Sequence, residues 1–208
     1  MPSKDTKATI YSIWLLFILT FLPGLCYSTN YDGVILGDSI SSGYGVTQTQ
    51  NWVYVWQQSL TCHPKISNIS VQGATTADGL DNLIYFYQQH QAKWMILELG
   101  GNDGLRGLNL DAMQNRLEKM IQLARSKRTD IYLVSTDLPA NYGETYRKQF
   151  KSKFEELAKR YNLNHISLFF PSDQALIQSD GIHPSPKGHA LIADAMRPLS
   201  DIICKIDN

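Results

Sequence analysis

The chain has 208 residues, 43% of them hydrophobic, enough to bury one core, so a single folded domain is expected. Its 19 Lys and Arg residues balance 19 Asp and Glu residues, and no summed field draws the chain to nucleic acid or to an anionic membrane surface. There is no CxxC and no HExxH, and His63, His90, His165, His183 and His189 lack zinc-ligand spacing, which argues against a metal enzyme.

In chain order, the first element is a leader. Lys4 and Lys7 precede an apolar run over residues 10–22, followed by Pro23 and Gly24. That order of basic, apolar and small residues reads as a secretory signal peptide, and the run falls short of the about 20 apolar residues of a spanning helix. Cleavage after Ser28 is expected, leaving a domain over residues 29–208 in the periplasm or outside the cell. An uncleaved anchor is the first alternative. A lipoprotein acylated at Cys26 is the second, and Leu25 is large for it. Removal of Cys26 leaves Cys62 and Cys204, which either pair in an oxidising compartment or sit apart as small core residues.

Beyond Thr29, short apolar runs alternate with longer amphipathic ones, the pattern of parallel strands joined by helical crossovers. Strands are expected over residues 34–36, 66–71, 94–99, 131–135 and 165–168. Between the third and fourth, Met113, Leu117, Met120, Ile121 and Ala124 share one helical face, with Arg116, Glu118, Lys119 and Arg125 off it. Between the fourth and fifth, Tyr146, Phe150, Phe154, Leu157 and Tyr161 form a second stripe. The last helix is expected to start at Pro184 or Pro186 and to bury Leu191, Ile192, Ala195, Met196 and Leu199. No repeat or linker divides this α/β unit, and no later stretch reaches spanning length. Ligands of such sheets bind beyond the carboxyl ends of the strands, so the loops there carry the chemistry.

The first strand runs into Gly37, Asp38, Ser39, Ile40, Ser41, Ser42 and Gly43, a glycine-bounded turn that lifts one small hydroxyl to the sheet edge. It is not the G-x-S-x-G elbow, because Ser41 stands where the closing Gly belongs. Nor is Gly43, Tyr44, Gly45 a dinucleotide fingerprint, since Gln48 replaces the third glycine. Near the other end, Asp180 precedes His183 by one turn of chain, so the carboxylate can hold one ring nitrogen while the other acts as a base. A serine hydroxyl needs such a base to become a nucleophile. Gly100, Gly101, Asn102, Asp103 and Gly104 follow the third strand, where the Asn102 amide can donate to an oxyanion. Gly73, after the second strand, offers a backbone N–H to the same oxygen. Asp38 and Asp103 read as structural, holding N–H groups of their tight loops.

The ordered set Gly-Asp-Ser, Gly, Gly-Asn-Asp and Asp-x-x-His resembles the SGNH (GDSL) hydrolase family, whose name-giving residues fall on Ser39, Gly73, Asn102 and His183. The resemblance spans residues 29–208 and looks closest to the bacterial periplasmic thioesterase, lysophospholipase and arylesterase branch, through LGGNDGLRG at 99–107, LPANYG at 138–143 and DGIHP at 180–184. It implies a flavodoxin-like three-layer α/β/α sandwich with a five-stranded parallel sheet, no cofactor, and hydrolysis of acyl thioesters, simple esters and lysophospholipids. In that picture Ser39, His183 and Asp180 form the catalytic triad, and Ser39 N–H, Gly73 N–H and the Asn102 side chain form the oxyanion hole. Leu138, Pro139 and Tyr142 would line the acyl chain. Ala74 departs from the branch, which usually has Asp there, but the backbone donor of Gly73 survives the change. The fold implied by the resemblance brings the first and last helices to one face, which favours a Cys62–Cys204 disulfide. A monomer acting on a small acyl substrate is expected. Two rivals remain: an acetylesterase of cell-wall or polysaccharide O-acetyl groups, and a non-catalytic lipid-binding envelope protein.

Overall fold

The computed structural model describes residues 29–168 and 174–206; the expected leader over residues 1–28, with Cys26, lies outside them. Five strands, β1 (Thr29–Gly37), β2 (Ile66–Asn68), β3 (His90–Glu98), β4 (Asp130–Thr136) and β5 (Asn164–Leu168), form one all-parallel sheet in the order β2-β1-β3-β4-β5. The helices are α1 (Ser39–Ser42), α2 (Trp52–Ser59), α3 (Thr76–Gln89), α4 (Gly101–Leu105), α5 (Leu110–Ser126), α6 (Glu144–Tyr161), α7 (Pro186–Ala195) and α8 (Arg197–Ile206). This is the three-layer α/β/α sandwich with the flavodoxin-like strand order.

Alternation along the strands divides the core in two. Val34, Leu36, Met95, Leu97, Ile131 and Leu133 face α3, α5 and α6, while Ile35, Trp94, Ile96, Tyr132 and Val134 face α2, α7 and α8. Both faces are covered, so β3 and β4 read as nearly continuous apolar runs. Each fully buried Leu, Ile or Phe contributes about 1.5–3 kcal/mol by leaving water. The second face is rich in tryptophan: Trp52 and Trp56 have ring centroids 6.2 Å apart, and Trp56 meets Trp94 at 6.0 Å. Trp94 lies so close to β1 that a Cβ on Gly33 would fall 2.1 Å from its ring, which is why glycine stands mid-strand there.

The strand edges differ from the sequence expectation. β1 and β3 begin earlier, at Thr29 and His90, because the two pair in register from Thr29↔His90 onward. β2 is regular only over Ile66–Asn68, where the Asn68 side chain accepts from Ser70 N–H and donates to Ser41 C=O, yet Ile69 and Val71 N–H still donate to Ile35 and Gly37 C=O at 2.9 and 3.2 Å, so the chain follows β1 to the expected residue 71. The last helix is two helices. Pro198 has no N–H to continue the ladder, and the chain breaks after Ala195. Its inner face also differs: Ile192, Met196 and Leu199 are buried, but Leu191 is 38% exposed and Ala193 takes the inward position. Ser185 caps α7 through Gly188 N–H, so the helix begins at Pro186.

Among the described residues, no helix is long and apolar enough to cross a membrane. Cys62, just beyond α2, is bonded to Cys204 in α8.

Candidate active site

The strand order reverses between β1 and β3, and the loops that leave these strands flank the resulting crevice. After β1, Asp38 caps the single turn α1, its Oδ1 accepting from Ile40 N–H at 3.0 Å, and Gly43 closes the turn in the left-handed region at φ 83°. Ser39 is the first residue of that turn and is 8% exposed. Glu98, the last residue of β3, lies beneath it and accepts from Ser41 Oγ at 2.8 Å. A Cβ on Gly37 would fall 2.6 Å from Ser41 Oγ and 2.7 Å from Glu98 Oε2, so this glycine makes room for the contact.

Asp38 and Glu98 are 3% and 2% exposed. Burial pushes the Asp38 carboxyl up to about 6, against the opposing pull of Ile40 N–H. Burial, then the neighbouring Asp38 charge, pushes Glu98 well above the usual carboxylate range. No sequence motif singles out Glu98. Its one signal is a charged residue inside the apolar run of β3, where a carboxyl is costly without donors.

His183 comes from the turn before α7. Its Nε2 is 2.9 Å from Ser39 Oγ, and its Nδ1 is 2.6 Å from Asp180 Oδ2. The other Asp180 oxygen accepts from Ile182 N–H at 2.9 Å and His183 N–H at 3.0 Å. Partial burial raises the Asp180 carboxyl, but those two N–H groups and the imidazole outweigh it and hold the group below its ordinary value. An ionised carboxylate only accepts, so Nδ1 carries the proton and Nε2 is free to accept from Ser39. The Tyr44 ring packs on the imidazole, centroid to centroid at 4.4 Å. In the sequence Tyr44 stands only between two glycines of an incomplete fingerprint, and nothing there signals this contact.

Asn102, on α4, donates through Nδ2 to Asp38 Oδ2 at 3.2 Å and to Ala74 C=O at 3.1 Å. The amide therefore joins the Ser39 turn to the turn that holds Gly73, which has φ 70°. Two neighbours reinforce the seam. Arg106 Nη2 donates to Gly73 C=O at 2.8 Å, and the fully buried Asp103 accepts from Thr76 N–H at 2.8 Å and Thr76 Oγ1 at 2.7 Å. Asp38 thus holds a backbone N–H group of its own turn, as its loop position suggests, whereas Asp103 holds that of Thr76 across the seam and not one of its own loop. Ala74 is buried in the core, 3% exposed.

The expected acyl wall is rearranged. Leu138 is 3% exposed and packed in the core near Gly104 and Phe150, so it offers no open surface. A short helical turn over Ala140–Tyr142 follows half-buried Pro139, and Tyr142 Oη donates to Leu105 C=O at 2.7 Å. The loop braces α4, the carrier of Asn102.

A family model for the GDSL-like lipase/acylhydrolase family matches residues 35–191. The chain belongs to this family. It is 33% identical over 166 residues to the thioesterase 1/protease 1/lysophospholipase L1 of Escherichia coli K12, covering 78% of this chain and 80% of that protein. It is 33% identical over 158 residues to the esterase TesA of Pseudomonas aeruginosa, covering 73% and 79%. The crystal structure of TesA superposes with a TM-score of 0.77 at 30% identity, covering 84% of this chain and 99% of that one. The chain is therefore an enzyme, a hydrolase of acyl esters, and shares the SGNH sandwich.

Proposed function

We propose that the chain is an exported serine esterase and thioesterase that works through an acyl-enzyme on Ser39. The continuous hydrogen-bonded line from Ser39 Oγ through His183 to Asp180 carries this reading. As Ser39 Oγ attacks the acyl carbonyl carbon, His183 Nε2 takes its proton, and Asp180 keeps the imidazolium oriented through Nδ1–H. The oxyanion meets Ser39 N–H, Gly73 N–H and the Asn102 amide, whose donation there exchanges one of its present acceptors, Asp38 or Ala74. Collapse of the intermediate expels the alcohol or thiol, which leaves with the proton from Nε2. Water then attacks the acyl-serine, gives its proton to Nε2, and the acid departs as the Ser39 hydroxyl reforms.

Thioesters, simple esters and lysophospholipids are the proposed substrates, supported by the names of the relatives. Pro139 and Tyr142 are the remaining candidates for the acyl wall. Export is supported by the basic, apolar and small residues of the leader and by the Cys62–Cys204 bond, which suits an oxidising compartment.

The test is turnover of p-nitrophenyl esters, acyl-CoAs and lysophosphatidylcholine by the chain from Thr29 onward, beside Ser39→Ala. We expect activity on long acyl groups and a loss of at least about 10³-fold in the variant. Activity confined to acetyl esters would redirect the assignment to glycan O-acetyl groups. Equal rates in parent and variant would remove Ser39 as nucleophile.

A further inference from the structure

Two loops must meet for Ser39 to reach His183, and they are separated by 144 positions in the chain. One side chain outside every recognised motif touches both. Gln178 Nε2 donates to Tyr44 C=O at 2.8 Å and to Pro184 C=O at 2.9 Å. Both partners are carbonyls, so the amide must present its NH2 to them, and both of its hydrogens are used.

The backbone of Gln178 is tied down as fully as its side chain. Its N–H donates to His183 C=O at 2.7 Å, and its C=O accepts from Gly181 N–H at 3.0 Å. Ile177 and Pro184 pair as an antiparallel bridge, and Ser185 N–H donates to Leu176 C=O at 2.8 Å, so residues 176–185 form a closed turn in which His183 stands directly across from Gln178. On the other side, Tyr44 N–H donates to Ser39 C=O at 3.0 Å. A path of two hydrogen bonds, Ser39 C=O to Tyr44 N–H and Tyr44 C=O to Gln178 Nε2, thus runs from the nucleophile backbone to the residue that holds His183. The same tie sets Tyr44 where its ring covers the imidazole.

We infer that Gln178 is a positioning residue for catalysis, a clasp that ties the histidine turn to the nucleophile loop and sets the approach of His183 to Ser39. It acts through His183 and does not touch substrate. The fit is close: a Cβ on Gly45, which has φ 73°, would fall 2.2 Å from Gln178 Oε1. Misplacement of a base by about 1 Å can cost about 100-fold in rate, so the loss of such a tie should be visible in turnover. Because a base acts in the chemical step, the loss should fall on kcat and spare KM.

This inference rests on His183 being the base, and the experiment separates the two. In the chain from Thr29 onward, kcat and KM for p-nitrophenyl butyrate are measured in the parent, Gln178→Met, His183→Ala and the double variant. Gln178→Met keeps the length and removes the donors. It is expected to lower kcat about 10–100-fold with KM within about threefold, and to cause no further loss in the His183→Ala background, because the two act as one unit. Gly45→Ala leaves the amide chemistry intact and pushes it aside, so it should reproduce the kcat loss if Gln178→Met does not fold. A Gln178→Met kcat within twofold of the parent overturns the clasp, as does an equal fold-loss with and without His183. Full activity in His183→Ala would instead overturn the proposed mechanism itself.

Discussion

Ser39 and His183 meet from opposite ends of the chain, and the two halves of the site are held by different means. The Ser39 half is built where neighbouring strands of the sheet end. Asp38 caps the turn that carries Ser39, Glu98 supports it from the adjacent strand, and Asn102, Asp103 and Arg106 sew it to the Gly73 turn within one short segment. The His183 half is held through the helices that follow it. Beyond the contacts of Gln178 and Tyr44, three ties run to α2 and the turn after it: Trp52 N–H donates to His189 Nδ1 at 3.2 Å, Trp56 Nε1 donates to Ser200 Oγ at 3.1 Å, and Cys204 is bonded to Cys62. The first half is thus held by a cap and by buried carboxyls at the ends of adjacent strands, whereas the second half depends on the helices that follow it.

That contrast makes predictions of different kinds for the two halves. The largest concerns Asn102→Ala, which should cost about 10²–10³ in kcat, or about 3–4 kcal/mol of transition-state stabilisation, while the thermal midpoint moves little. Steady-state kinetics decide it; a loss under tenfold would leave Asn102 as a brace for Asp38 and Ala74 alone.

The His183 half should respond through stability. Replacing both Cys62 and Cys204 by Ser should destabilise the fold by about 2–4 kcal/mol, since the bond joins residues 142 positions apart, while kcat of the folded fraction stays within about twofold. Denaturant unfolding read beside activity gives both numbers. A matching fall in kcat would mean that the bond also sets the position of His183, and the contrast between the halves would weaken.

The smallest effect is confined to acid. His189 is fully buried, with Nδ1 accepting from Trp52 and Nε2 without a partner among the described residues. Burial, then the nearby His183, pulls it down from 6.5 to about 4. A base depressed in the fold binds fewer protons there than in the unfolded chain, so its contribution is complete above about pH 6.5 and is lost as pH falls through about 4. His189→Gln keeps an acceptor for Trp52 and removes the titration. Its unfolding free energy should fall less than the parent's between pH 6.5 and pH 4, by at most about 3 kcal/mol. Parallel curves for the two proteins would mean that His189 is not the group protonated.

The parallel α/β architecture is legible in the amino-acid order alone, because the apolar runs recur at strand length and the helical stripes at three and four residues. Met113, Leu117, Met120, Ile121 and Ala124 are all fully buried, as that spacing requires. Ser39, Asn102, Asp180 and His183 stand out for a similar reason, since each lies in a short contiguous string in which glycines and carboxylates act within a few residues. Phase and distance were another matter. Leu191 faces out and Leu138 faces in because neighbouring elements, and not local spacing, decide which side of a helix or loop is covered. Glu98 and Gln178 carry no motif of their own. Each gains its meaning from carbonyls, hydroxyls and N–H groups that are far away in the chain, and only the packed sheet and the closed turn before α7 bring those partners within hydrogen-bond reach.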